Sequence, residues 1–166
     1  MNAISRTNIP LSIATIFLIG VIAVPAAAQK HVSITGELQG QEIDTLQGGP
    51  PPTSISVNGS VLGQATHIGR FTLAYQVTVN LPAGNSAGKA TLTVPNGDTI
   101  FTTIVGQGIA VPNTATLNTV MEVNTITGGT GQFEGVSGYL IVYRLIDLAT
   151  GLSSGSVTGS LALPAK

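Results

Sequence analysis

The sequence predicts an all-β domain that closes into an antiparallel barrel of about eight strands, with a two-sheet β-sandwich as the alternative packing. Three observations predict it. Apolar residues recur with a period of two, not of 3.6. Turn signals fall at roughly 8–15-residue spacing. No stretch of about 12 residues beyond residue 28 shows helical periodicity. A long antiparallel sheet must curl, split or close to protect its edges. Eight strands close around an interior that is either filled or holds one small ligand.

The elements follow in order. Residues 1–28 read as a signal peptide. Arg6 supplies the basic start, and an apolar run from Leu11 to Val24 is broken only by Ser12, Thr15 and Gly20. Pro25 and Ala26-Ala27-Ala28 then give a small-x-small cleavage pattern before Gln29. The run is shorter than the ~20 residues a spanning helix needs. The expectation is therefore a secreted or periplasmic protein with no stable membrane insertion after cleavage. There is no twin arginine and no cysteine after the cleavage site, which argues for the general secretory route and against a lipid anchor. Residues 29–166 remain as one domain.

Val32, Ile34 and Leu38 alternate in the first segment, and Ile55 and Val57 in the second. Between them, Gln39–Pro52 reads as a stiff loop, because Pro50, Pro51 and Pro52 remove ladder donors. Phe71, Leu73, Tyr75, Val77 and Val79 form the clearest alternating strand. Leu81–Gly88 reads as a loop. Leu92 and Val94 precede a hairpin turn at Asn96-Gly97, where both residues tolerate positive φ. Gly106–Asn113 reads as another loop. Tyr139, Ile141, Tyr143 and Leu145 alternate next, and Asp147–Gly151 reads as a hairpin loop with glycine in the left-handed position. Val157, Leu161 and Leu163 close the chain.

Composition narrows the function. There is no cysteine, which excludes disulfides, a thiol nucleophile and thiolate metal sites. Past residue 28, Lys30, Arg70, Lys89, Arg144 and Lys166 face Glu37, Glu42, Asp44, Asp98, Glu122, Glu134 and Asp147. With no basic patch, nucleic acid and anionic membrane surfaces are poor partners. No cofactor signature appears and no metal site is expected. His31 and His67 lie far apart, and Glu42-x-Asp44 lacks a calcium-loop pattern. Neither a Gly-x-Ser-x-Gly elbow nor paired catalytic carboxylates occur.

One stretch stands apart: Gly128-Gly129-Thr130-Gly131-Gln132-Phe133-Glu134-Gly135-Val136-Ser137-Gly138. It has no phosphate-loop lysine and no helix follows it. It reads as a sharp connection between two strands with Phe133 pinned inward, so Gly128, Gly129, Gly131, Phe133 and Gly138 are structural. This stretch resembles the GGTG-x-F-x-x-(A/V)-x-G motif of plant dirigent proteins and of barrels related to allene oxide cyclase. With Thr66-His67-Ile68-Gly69-Arg70-Phe71-Thr72 upstream, the pair resembles a group of small secreted bacterial proteins of unknown role. The resemblance implies a calycin-type closed barrel. It implies no working residues, because those of the dirigent and cyclase families lie outside the matched stretches. Gln132 and Glu134 also stand where the plant motif has basic residues.

Candidate pocket-lining residues are His67, Phe71, Tyr75, Tyr139 and Tyr143. His67 shares a face with Phe71 and Tyr75 unless Gly69 makes a bulge. It offers a proton carrier, or simply a satisfied rim histidine. Arg70 is a candidate anion or rim contact, or a cation paired with Glu122 or Glu134, or a solvated strand-end residue. The tyrosines offer hydroxyl donors or plain packing. Three functions stay open. The first is a non-catalytic barrel that binds a small apolar or mixed ligand or serves as an envelope accessory. The second is a cyclase- or isomerase-like enzyme working in the cavity. The third is a structural surface protein. Homo-oligomers fit any of them.

Overall fold

The computed structural model describes residues 29–163; the predicted signal peptide lies outside the described residues. Its strands are β1 (Lys30–Gln47), β2 (Ser54–Ala65), β3 (Gly69–Asn80), β4 (Asn85–Thr93), β5 (Thr99–Ala110), β6 (Leu117–Gly129), β7 (Ser137–Asp147) and β8 (Leu152–Leu163). Each pairs antiparallel with its sequence neighbours, and β8 returns to β1. That last ladder runs from Lys30 opposite Leu163 to Gln41 opposite Leu152. The ring therefore has no open edge, which removes the hazard of an unpaired strand.

The two ends differ. At one end lie the β2–β3, β4–β5 and β6–β7 connections, together with the start of β1 and the end of β8. Here the 3₁₀ turn Gly131–Phe133 drops the Phe133 ring into the barrel, where it is 2% exposed. Ile34, Val61, Leu92, Ile100 and Leu161 are fully buried and fill this half. Burying Phe133 contributes about 1.5–3 kcal/mol, so the turn is a stopper as well as a connection. The other end carries the hairpins after β1, β3, β5 and β7.

The glycine-rich segment makes a sharp connection between β6 and β7 with Phe133 inward, as the sequence predicts, and so builds the stopper. Gly128, Gly131, Gly135 and Gly138 hold φ of 155°, 59°, 78° and 128°. The ladder between β5 and β6 shifts between Phe101 and Thr102, leaving Thr127 as an extra, bulged residue. Asp98 ties this turn to the β4–β5 hairpin, because its Oδ2 accepts from the Gln132 N–H at 3.0 Å and from Asn96 Nδ2 at 2.8 Å. A Cβ on Gly131 would meet that carboxylate, and one on Gly129 would lie 2.6 Å from the Phe133 carbonyl oxygen. On β2 and β3, Gly63 and Gly59 stand opposite Phe71 and Tyr75, whose rings fill the space a Cβ would take.

Three segments differ from the sequence reading. β1 continues to Gln47, so only residues 48–52 of the predicted Gln39–Pro52 loop lie outside a strand. β5 continues to Ala110 through most of the predicted Gly106–Asn113 loop, and β4 begins at Asn85 inside Leu81–Gly88. On β7 the parity is reversed: Leu140, Val142, Arg144 and Ile146 point inward, while Tyr139, Tyr143 and Leu145 are exposed. Both faces of β7 carry apolar residues, so alternation alone cannot choose between them. The outer face of β5–β7 consequently shows Val105, Ile109, Met121 and Tyr143 to solvent.

Gly131→Val and Gly129→Val should each lower the unfolding free energy by ~1–3 kcal/mol in urea denaturation. Tolerance of both would mean that the stopper turn is not constrained as described.

Candidate functional site

The open half of the barrel contains a cavity of about 240 Å³. Its walls are apolar: Ile55 and Val57 from β2, Val77 and Val79 from β3, Val120 from β6 and Ile146 from β7. Leu81 and Leu148 stand at the mouth, and Ser86 and Gly108 leave the remaining wall open. Alternation puts these side chains inside for the same reason that it fills the other half. The difference lies in the size and polarity of the inward residues.

The floor is charged. Glu42 from β1, Glu122 from β6 and Arg144 from β7 all point inward and are buried, at 6%, 5% and 5% exposure. Arg144 Nη1 donates to Glu42 Oε2 at 2.8 Å and to the Tyr75 hydroxyl at 2.6 Å. Its Nη2 donates to both Glu122 oxygens, at 3.1 and 3.2 Å. The Tyr75 hydroxyl in turn donates to Glu42 Oε2 at 2.7 Å. The guanidinium also lies 4.7 Å from the Tyr75 ring centroid, within cation–π range. Ser153 of β8 completes the shell at 3.4 Å. One cation thus links five of the eight strands across the interior.

Beneath the floor, Thr102 Oγ1 donates to Asn124 Oδ1 at 3.1 Å. Arg144 Nε and Asn124 Nδ2 are buried without a partner among the described residues. An unmet buried donor costs about 1–3 kcal/mol, which the paired charges must offset.

The electrostatics follow from burial first. Desolvation raises the Glu122 pKa above its ordinary 4.5; Arg144 opposes this by charge and hydrogen bond, while Glu42 adds to it. Asp44, exposed at the rim, is raised by partial desolvation and then by Glu42, against the pull of Arg144. Burial also pushes the Tyr75 hydroxyl well above its usual range, so it stays a donor. Burial disfavours the Arg144 charge, but Glu122, Tyr75 and Glu42 more than offset this and hold the guanidinium protonated.

The predicted pocket residues fare unevenly. Tyr75 alone reaches the polar cluster. Phe71 is buried in the filled half, two inward positions from Tyr75 towards the stopper. His67 is corrected: it occupies the tight β2–β3 turn at φ 61°, exposed, with Ala65 paired to Gly69 around it. Gly69 at φ 82° closes a three-residue loop, so β3 starts beyond His67 and parity never applies to it. Tyr139 and Tyr143 are corrected as well, since the β7 parity turns both rings outward. Arg70 is exposed at the stoppered end, away from the mouth, and Glu122 pairs with Arg144 instead.

Sequence reasoning missed Glu42, Glu122 and Arg144 as a unit. A signal for it exists: Arg144 alternates with Leu140, Val142 and Ile146, a charged residue on an otherwise apolar face.

The fold is that of a dirigent-like barrel, eight antiparallel strands in a closed ring; in this chain the ring is stoppered at one end and hollow at the other. Among solved structures, the chain is similar to the pterocarpan synthase dirigent protein GePTS1, with a TM-score of 0.57 at 11% identity. The match covers 90% of this chain and 98% of that one. No family model and no curated protein sequence matches.

Arg144→Met should cost ~3–5 kcal/mol at pH 7, because it leaves two buried carboxylates without a counter-charge. It also removes both influences that lower the Glu122 pKa, so the folded variant holds that proton more tightly than the unfolded chain. Stability from a raised pKa is fully present below the unfolded value and is lost as pH rises through the folded one. The deficit should therefore shrink in urea melts at pH 4 relative to pH 7. Equal deficits at both would assign the loss to packing rather than charge.

Proposed function

We propose that the protein is an exported barrel that binds a small, largely apolar molecule in its open half, without covalent chemistry. The observation that carries this reading is the cavity itself: apolar walls converge on a few fixed polar groups at its floor. Binding sites commonly have that construction, and a volume of about 240 Å³ falls just under the ~300–1,000 Å³ of drug-sized pockets. It equals the share of about eight water molecules at ~30 Å³ each, so the ligand is compact. The secretory pattern of residues 1–28 supports action outside the cytoplasm.

A second reading, a cyclase- or isomerase-like enzyme, is favoured by one specific observation. Glu122 is a buried carboxyl with a raised pKa at the base of an apolar cavity, an environment suited to an acid or base. The similar barrel is a pterocarpan synthase dirigent protein, which supports this reading only by analogy of fold.

Native mass spectrometry of the protein purified from its own envelope fraction should show a retained small molecule. Val120→Phe, which places a ring in the cavity, should lose that mass while the barrel remains folded by circular dichroism. A wild-type spectrum with no adduct, together with no saturable uptake of n-hexanol, would remove the binding reading.

A further inference from the structure

We propose that the cavity prefers a positively charged ligand, a short organic amine whose ammonium group sits against Glu42 with Asp44 beside the entrance. The inference rests on the ligand-binding reading and adds the charge of the head group. Four ionisable side chains line the cavity: Glu42, Asp44, Glu122 and Arg144. Three are acids and one is a base, so the wall carries more negative than positive charge.

The single base is already committed. Both of its terminal nitrogens donate to the two glutamates and Tyr75, and its Nε is sealed from the cavity. An anionic ligand would find no free donor on it and would meet surplus carboxylates. Glu42 is different. Its Oε2 accepts from Arg144 and Tyr75, but its Oε1 takes no donor from the described residues. That oxygen does not figure among the sealed, unpartnered atoms of the interior. Glu42 lines the cavity, so this oxygen is an acceptor that a ligand can reach there. An ammonium group there supplies three donors and the missing charge together.

The walls set the rest of the ligand. From Arg144 to Leu148 is four residues of strand and hairpin, about 13 Å along the chain at ~3.3 Å per residue, and less in depth because barrel strands tilt. Only valine, isoleucine and leucine side chains flank that path on β2, β3 and β7. A body of about six carbons fits between them.

Three probes share one body and differ only in head charge: n-hexylamine, n-hexanol and hexanoate. Titration calorimetry of the purified protein at pH 7 and low salt should give at least ten-fold tighter binding for hexylamine than for hexanol, with hexanoate weakest. Val120→Phe should abolish all three, which places binding in the cavity. Asp44→Asn, at an exposed position, should reduce the amine's advantage without disturbing the fold, and Glu42→Gln should remove most of it. Hexanol equal to or tighter than hexylamine would overturn the charge preference while leaving the binding reading intact. Tight hexanoate binding would overturn it too. Absence of binding by all three would overturn both.

Discussion

The guanidinium of Arg144, buried at the centre of the barrel, constrains the rest of the structure. It cannot be deprotonated at accessible pH, so wherever it is buried the chain must bring acceptors to it. Glu42, Glu122 and Tyr75 do so from three other strands. A one-residue slip of β7 would send Arg144 to solvent and strand two carboxylates inside. Such a slip would cost the hydrophobic term little, because Tyr139, Ile141, Tyr143 and Leu145 offer an equally apolar face. The charged knot therefore decides the register of β7, and through it the pairing of β6 and β8. Its net contribution to stability need not be large for it to act in this way, since the penalty falls on the alternatives.

The same constraint divides the interior. Below the knot, apolar side chains meet across the barrel and Phe133 seals the end. Above it, the inward positions of β1 are Glu42 and Asp44, and those of β5 are Gly106 and Gly108. Small and charged residues do not fill a barrel of this width, so space remains. The cavity is thus the consequence of a polar layer placed part-way up the strands, and the hydrogen-bonded wall around it keeps it from collapsing.

That division also explains what the sequence could reveal. Where the interior is apolar, as along Phe71–Val79, alternation gives the strand and its face. The hairpins at Gly97 and Gly151 and the inward Phe133 were legible because their chemistry is local: positive φ needs glycine, and a lone aromatic in a glycine-rich turn has one place to go. Legibility stopped where the interior changed character. Along Gln41–Thr45 the inward residues are acidic and Ile43 faces out at 69% exposure; along Val105–Ile109 glycines face in and the apolar residues face out. A period-two reading assigns such stretches to loops. On β7 it found a strand but chose the wrong face. Each of these failures maps onto the wall or floor of the cavity, as expected when local pattern yields to a site.

The geometry of entry follows from the topology. The described chain enters at Lys30 and leaves at Leu163, which face each other at the stoppered end. The mouth carries only short hairpin connections, residues 48–53, 81–84, 111–116 and 148–151. The mouth that leads to Glu42 opens at the opposite end from Lys30 and Leu163. The similar dirigent barrel shares this frame at 11% identity. A closed ring tolerates such replacement because its strands are held by backbone ladders, and the inward side chains of the hollow half are released from filling a core. The ligand proposed for this barrel must therefore answer to its own few polar residues at the floor, where three acids stand against one committed base.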